Sequence, residues 1–246
     1  MTGATGLSAV KESGFTTYAV RIPEIPIFTS SMTWPIASHA RKLKRRLLGR
    51  RSSTMYHNGN RALQDEFGSR GLADRLVREL SRSRFNDGDR QFVELSAFFF
   101  LATADDEGRP DCSFKGGVPG FARVIAPDLL VFPDYDGNGM FKSLGNIAVN
   151  PHVGLLFMRI GEKPGRLRIN GRAEISRDDP LIAQMPGAQL LIRVTPVDIF
   201  PNCPRYIPHL ELMAPSVYAP VAGAKPVEPA WKSSETLKDV VPPRRR

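Results

Sequence analysis

Cysteine is scarce. Only Cys112 and Cys203 occur in 246 residues. Neither belongs to a CxxC pair or a zinc-like spacing, which argues against a disulfide framework or a structural zinc. Usage this low fits two reduced thiols in a cytoplasmic protein. Histidine is thin as well. His39, His57, His152 and His209 are scattered, and there is no HExxH, no GxSxG and no clustered His/Asp/Cys set. Metal-assisted hydrolysis and side-chain nucleophilic catalysis therefore have no anchor in this sequence. His152 follows Asn150-Pro151 at a strand entrance and reads as structural. No apolar run reaches the ~18 residues of a membrane span; the longest, Ala97 to Ala102, is strand-sized. No charged stretch followed by an apolar core opens the chain, so its start does not read as a secretory signal.

Proline and glycine are plentiful, 21 of each, so turns and irregular segments are expected. The net charge of +9 raises the question of nucleic acid. Its location answers it. Lys11, Arg21, Arg41, Lys42, Lys44, Arg45, Arg46, Arg50 and Arg51 face only Glu12 and Glu24 in residues 1–54, and Arg244 to Arg246 add three more positive charges at the far end. The body of the chain is close to neutral. Basic tails are weak support for a nucleic-acid-binding fold, so no nucleic-acid partner is expected.

The organisation has three parts. Residues 1–54 read as a basic N-terminal extension, with no clear period through the Pro-rich stretch 21–35. Within it, Arg41 to Arg51 is either a solvated tail or a short helix with Leu43, Leu47 and Leu48 on one face, suited to anionic lipid or RNA. Translation starting at Met55 is an alternative, because the globular pattern begins there. Residues 55–213 carry that pattern, and 214–246 read as a Pro-rich C-terminal arm, extended and suited to lie across a partner subunit.

Inside the central part, Leu63, Phe67, Leu72, Leu76 and Leu80 follow helical spacing over 61–80, with breaks expected at Gly68 and Gly71. Asp87 is expected to cap a helix over 88–96 with Phe92 and Leu95 facing inward. Then the period changes. Phe98 to Thr103, the turn Asp105 to Arg109 and Asp111 to Lys115 read as a hairpin. Strands are expected at 122–125, 129–133, 152–160, 167–175 and 190–200, with short helices at 140–149 and 178–184. The fold class is mainly β with flanking helices (α+β). A small closed antiparallel barrel is expected, because closure removes exposed strand edges.

The segment Asp134 to Pro151, DYDGNGMFKSLGNIAVNP, carries the chemical signal. Gly137 and Gly139 precede a helix whose first turn holds Lys142 and Ser143. A helix N-terminus offers free N–H groups and partial positive charge, which suit a phosphate. Phe141 stands where a Walker A loop requires glycine, so this is not that motif. An ordinary Gly-rich turn with a solvated lysine is the alternative reading.

The run SLGNIAVNPHVGLLF, followed by NGRAEI, resembles the pyridoxamine 5′-phosphate oxidase family. Further blocks are similar to its flavin-nucleotide-binding branch: NRALQDEFGSRGLADRL, FFFLATADDEGRPDCSFKGG, PGFARV, FPDYDGNGM and IFPNCPRYI. The resemblance runs from Tyr56 to Pro208 and excludes both tails. It implies an FMN-binding split β-barrel, a homodimer with FMN at its interface, and hydride transfer between a small-molecule substrate and FMN. It places Lys142 at the family's phosphate-binding arginine and Ser143 where the family has a second basic residue. Asn138 falls in a turn that donates hydrogen bonds near the phosphate. Arg123 falls near a basic residue that reaches the flavin or its phosphate. Ser113 and Lys115 alternate on one strand face, and Arg166 falls near a flavin-contacting glutamine. The oxidase's substrate signature is absent; NCPRYIP stands there, with Arg205 and Tyr206 as counterparts or as a structural pair. That departure argues against pyridoxamine phosphate as substrate. A flavin carrier or sensor without turnover, and a split barrel holding deazaflavin or haem, are the alternatives.

Overall fold

A computed structural model describes residues 10–12, 15–17 and 55–243. It divides into two units, Met1–Arg51 and Ser52–Arg246. In the first, β1 (Val10–Glu12) pairs antiparallel with β2 (Phe15–Thr17). The basic segment 41–51, the stretch 21–35 and Arg244 to Arg246 lie outside the described residues.

The second unit opens with three helices. α1 (Asn58–Glu66) starts at His57, whose Nδ1 accepts from the Gly59 N–H while the Asn60 side chain accepts from the His57 N–H. It stops at Gly68, which adopts φ +62°. α2 (Arg70–Leu80) starts before Gly71, so only the first of the two glycines breaks the helical stretch. The apolar spacing located these helices but did not describe a core face. Leu63, Phe67, Leu72, Leu76 and Leu80 are all exposed, and only Ala73 is buried. α3 (Asp87–Glu94) is capped by Asn86, not Asp87. The Asn86 side chain accepts from the Asp89 N–H and the Asp89 side chain accepts from the Asn86 N–H. Phe92 packs on the core as expected, whereas Leu95, at the end of the helix, is exposed.

Seven antiparallel strands follow, in the spatial order β4-β3-β7-β8-β9-β6-β5. They are β3 (Phe98–Ala104), β4 (Pro110–Gly116), β5 (Arg123–Ala126), β6 (Leu129–Tyr135), β7 (His152–Arg159), β8 (Gly165–Ser176) and β9 (Ala188–Asn202). Helix α4 (Lys142–Val149) connects β6 to β7, and a 3-10 turn (Pro180–Gln184) precedes β9. The β3–β4 hairpin forms because the Asp105 carboxylate accepts from the N–H groups of Glu107 and Arg109, closing its turn. Alternation sets the faces. Phe99, Leu101 and Thr103 of β3 point inward, and Phe98 and Phe100 point out. Phe99 is fully buried among Phe157 (centroids 4.6 Å), Phe132 (5.0 Å) and Phe121 (5.8 Å).

The expected closure is not complete. The sheet ends at β4 and β5, which are consecutive in sequence yet do not pair. The link between them contains Pro119, which has no N–H to donate, and Gly120 at φ +88°. It turns Phe121 into the core against Phe99, and β5 instead lies beside α3, with the Phe85 N–H bonded to the Pro127 carbonyl. The result is a split antiparallel sheet rather than a closed one. Among the described residues no helix is long and apolar enough to cross a membrane.

After β9 the chain is irregular except for one 3-10 turn, Ala230–Ser233. The arm packs on its own subunit: the Lys232 ammonium bonds the Asp136 carboxylate in the β6–α4 loop.

Gly171 sits at a bulge in β8 against β9. A Cβ there would stand 2.5 Å from the Thr195 carbonyl oxygen, in fixed backbone. Gly171→Ala is expected to cost about 1–3 kcal/mol, the usual range for forced overpacking. Urea midpoints of the two proteins check this, and equal midpoints would refute the packing argument.

Candidate functional site

β6 ends on Asp134 and Tyr135, and the chain then makes a Gly-rich turn from Asp136 into α4. In that turn the Asn138 side-chain oxygen accepts from the Met140 N–H (3.0 Å) and Gly139 adopts φ +75°. Phe141 is the N-cap of α4 and takes a left-handed conformation, φ +49°, without a side-chain cap bond. Left-handed geometry costs a non-glycine residue free energy and tends to gather at functional sites. It swings the first turn so that the N–H groups of Lys142, Ser143 and Leu144 open the helix without intrahelical acceptors. Helix and sheet are fastened twice. Ser143 Oγ lies 2.8 Å from Ser113 Oγ on β4, and the buried Asn146 side chain donates to Thr103 Oγ1 on β3 (3.0 Å). The helix ends at Asn150, whose side chain donates to the Asp105 carbonyl.

These elements enclose a cleft of about 700 Å³. β4, the end of β6, the Gly-rich turn and the first turn of α4 form its floor, and the C-terminal arm contributes residues to its other side. Five of the eight residues singled out in the sequence line it: Ser113, Lys115, Asn138, Lys142 and Ser143. Three do not. Arg123 donates to the carbonyls of Gly120 (2.9 Å) and Gln184 (3.3 Å). Arg166 donates to the Cys203 carbonyl. Arg205 is exposed and lies over the Tyr206 ring.

The cleft also contains groups that sequence reasoning passed over. Asp134 pairs with Leu190 across the β6–β9 ladder, and its Oδ2 is buried without a hydrogen-bond partner. Burial pushes its carboxyl above the usual range, with the Lys115 charge opposing and Asp136 adding to the rise. Burial likewise pushes the Lys115 ammonium below the usual lysine value, against the pull of Asp134 and Asp111. Tyr135 is pushed up to about 12 by burial, with Arg123 opposing. An acid at the end of an otherwise apolar strand, just before the Gly-rich turn, was the available signal for Asp134. Trp231 and Lys232 line the cleft from the arm; a tryptophan in a Pro-rich tail was the signal there.

An orphaned carboxylate oxygen, a half-buried ammonium and a helix N-terminus in one cleft fit a ligand with an anionic end and a polar ring edge. His57, His152 and His209 stand outside the cleft, and among the described residues no group of three or more His, Cys, Asp or Glu is placed to hold a metal ion.

The Asp134 shift has a sign that can be tested. Its native value lies above the ordinary 3.8, so the native state takes up a proton before the unfolded chain does. Its contribution to stability therefore grows as pH falls from 7 through the native value and is complete below 3.8. Relative to Asp134→Asn, the unaltered protein is expected to gain stability across that fall. Parallel stability curves from urea titrations at pH 7, 6, 5 and 4 would contradict it.

The family model for pyridoxamine 5′-phosphate oxidase matches residues 85–201, the span from Phe85 before α3 to the end of β9. A search of curated proteins finds no match. Among solved structures, HupZ from Group A Streptococcus is 17% identical, with 48% of this chain and 93% of that chain covered and a TM-score of 0.38. An FMN-binding protein from Syntrophomonas wolfei is 11% identical, with 58% and 96% covered and a TM-score of 0.37. HutZ from Vibrio cholerae, described as a haem storage protein, is 21% identical, with 46% and 90% covered and a TM-score of 0.33. Residues 85–201, which hold α3, α4 and the seven-stranded split sheet, are thus the part of this chain that matches the pyridoxamine 5′-phosphate oxidase family.

Proposed function

We propose that this protein binds FMN in the cleft between β4, β6 and the start of α4, and passes hydride between FMN and a small-molecule substrate. The observation that carries this reading is the convergence of Lys142, the open first turn of α4 and the Lys115–Asp134 pair on one cavity. Bound FMN supplies the redox centre, and the protein supplies binding, orientation and electrostatics. Lys142 and the free N–H groups of α4 hold the phosphate. The Asn138 turn and Gly139 let the anion approach the backbone. Ser113 and Ser143 fasten β4 to α4 beneath it. Lys115 presents positive charge toward the polar ring edge, where negative charge develops on reduction. Asp134 Oδ2 holds or releases a proton at that edge. Arg123 acts on the cleft through its charge on Tyr135.

The assembly that suits this site is a homodimer. Phe98, Phe100 and Phe114 cluster on the outward face of β3–β4, with Phe98 and Phe114 stacked at 5.3 Å and Phe114 62% exposed. Phe114 also borders the cleft, so a second copy seated on this patch would adjoin the ligand. Low cysteine usage supports a cytoplasmic location. Among the described residues no histidine lines the cleft, which favours flavin there over haem, commonly held by a histidine.

Purified protein is expected to be yellow and to release FMN, and a nicotinamide donor is expected to bleach it. A flavin carrier would keep the colour and resist bleaching. Lys142→Glu is expected to weaken FMN binding about 10- to 100-fold with the circular dichroism unchanged, as loss of a charge-assisted contact implies. Full flavin occupancy in that variant would remove the phosphate assignment. Phe114→Lys is expected to shift the protein from dimer to monomer in sedimentation; an unchanged dimer would place the interface elsewhere.

A further inference from the structure

The floor of the cleft lies in the split barrel and holds its ionisable groups Lys115, Asp134 and Lys142 among apolar residues such as Phe114, Met140 and Leu144, but its other lining comes from the C-terminal arm. Trp231, Leu237, Val240, Val241, Pro242 and Pro243 all line it, although they follow the last strand by some thirty residues or more. Apart from Lys232, this side is apolar. It faces a floor with Ser113, Lys115, Asp134, Lys142 and Ser143. The arm does not fill the cavity, because about 700 Å³ remains with the arm in place. That is a normal size for a site holding a drug-sized ligand, ~300–1,000 Å³.

Lys232 pins the arm. Its ammonium bonds the Asp136 carboxylate and lies 3.2 Å from Glu228, and its side chain is only 12% exposed. Asp136 belongs to the turn that leads into α4, so the arm is held at the rim of the anion-binding floor. Gly187 gives a second contact, where a Cβ would stand 2.7 Å from the Pro220 ring. The arm therefore follows the barrel surface before it reaches the cleft.

We infer that the segment Ala230–Pro243 is the outer wall of the ligand site, with Lys232 as its positioning residue and Trp231 as a ligand-contacting one. The chemistry of the two sides defines the ligand class: a planar aromatic ring with a phosphate, the ring covered by the arm and the phosphate at α4. This rests on the flavin reading for the identity of the ligand, but the wall itself does not. The tie is a single ammonium shared by two carboxylates, that of Glu228 being half-exposed, so few bonds hold the wall and it can leave and return as a ligand passes.

The test uses the full chain in a Trp34→Phe background, where Trp231 is the sole tryptophan. Lys232→Glu places a third acid against Asp136 and Glu228, and Lys232→Arg preserves the tie. FMN titration, iodide quenching of the bound flavin and ligand-free Trp231 emission are read for each. Lys232→Glu is expected to weaken FMN binding about tenfold, open the flavin to iodide and red-shift Trp231 emission. Lys232→Arg is expected to behave as the parent. Equal FMN affinity and equal flavin protection in Lys232→Glu would overturn the inference. If the parent takes up no FMN, the flavin reading fails, and Trp231 emission decides the wall by itself. A red shift in Lys232→Glu then upholds it, and unchanged emission overturns it.

Discussion

The burial of Phe99 is the contact on which the rest of the structure depends. Its ring meets Phe157 on β7, Phe132 on β6 and Phe121 in the β4–β5 link. Four stretches that are far apart in sequence thus share one fully dry aromatic cluster. Each such ring pair adds to the area removed from water. The cluster also explains the split. Drawing Phe121 inward takes the β4–β5 link off the sheet edge, so β4 keeps a free side. The cleft forms along that strand.

The site follows from the same packing. β3 carries Phe99 inward and Thr103 two turns of alternation later, where Thr103 receives the Asn146 amide of α4. Helix and hairpin are thereby set at a fixed height, and the Ser113–Ser143 contact aligns the helix start with β4. The left-handed Phe141 then aims the free N–H groups. Strain at one backbone position is tolerated because two side-chain contacts downstream fix the helix it begins.

Much of this was legible in the sequence, and the reasons are local. The β3–β4 hairpin was visible because a continuous aromatic run meets the turn Asp105 to Arg109, which Asp105 closes by itself. α4 was visible because glycine precedes it and Asn150-Pro151 ends it. Lys142 and Ser143 were found because a helix start is a short-range feature, and Asn138, Ser113 and Lys115 through the family resemblance. What was not legible depends on tertiary context. The stripe Leu63–Phe67–Leu72–Leu76–Leu80 has helical spacing but does not face a core in this chain, and periodicity does not say what covers a face. Asn86 outcompeted Asp87 as cap because Asp89 reciprocates its bond, a choice decided by three residues together. The incomplete closure depends on where Phe121 packs. The arm's share of the cleft rests on a contact across 96 residues, Lys232 to Asp136, which no sequence window spans.

The two sides of the cleft are made at different moments. The barrel core is finished at Ile199, and the floor of the cleft is complete before that. Trp231 to Pro243 follow every strand of the sheet in the chain, and domains generally fold in order of synthesis. A nascent chain therefore presents a formed floor and no wall for the time it takes to add some forty residues. A ligand arriving in that interval would meet an open trough, whereas one arriving later would have to displace the arm. Loading during synthesis and loading afterwards are thus physically different events for this protein, separated by the position of one segment in the reading order.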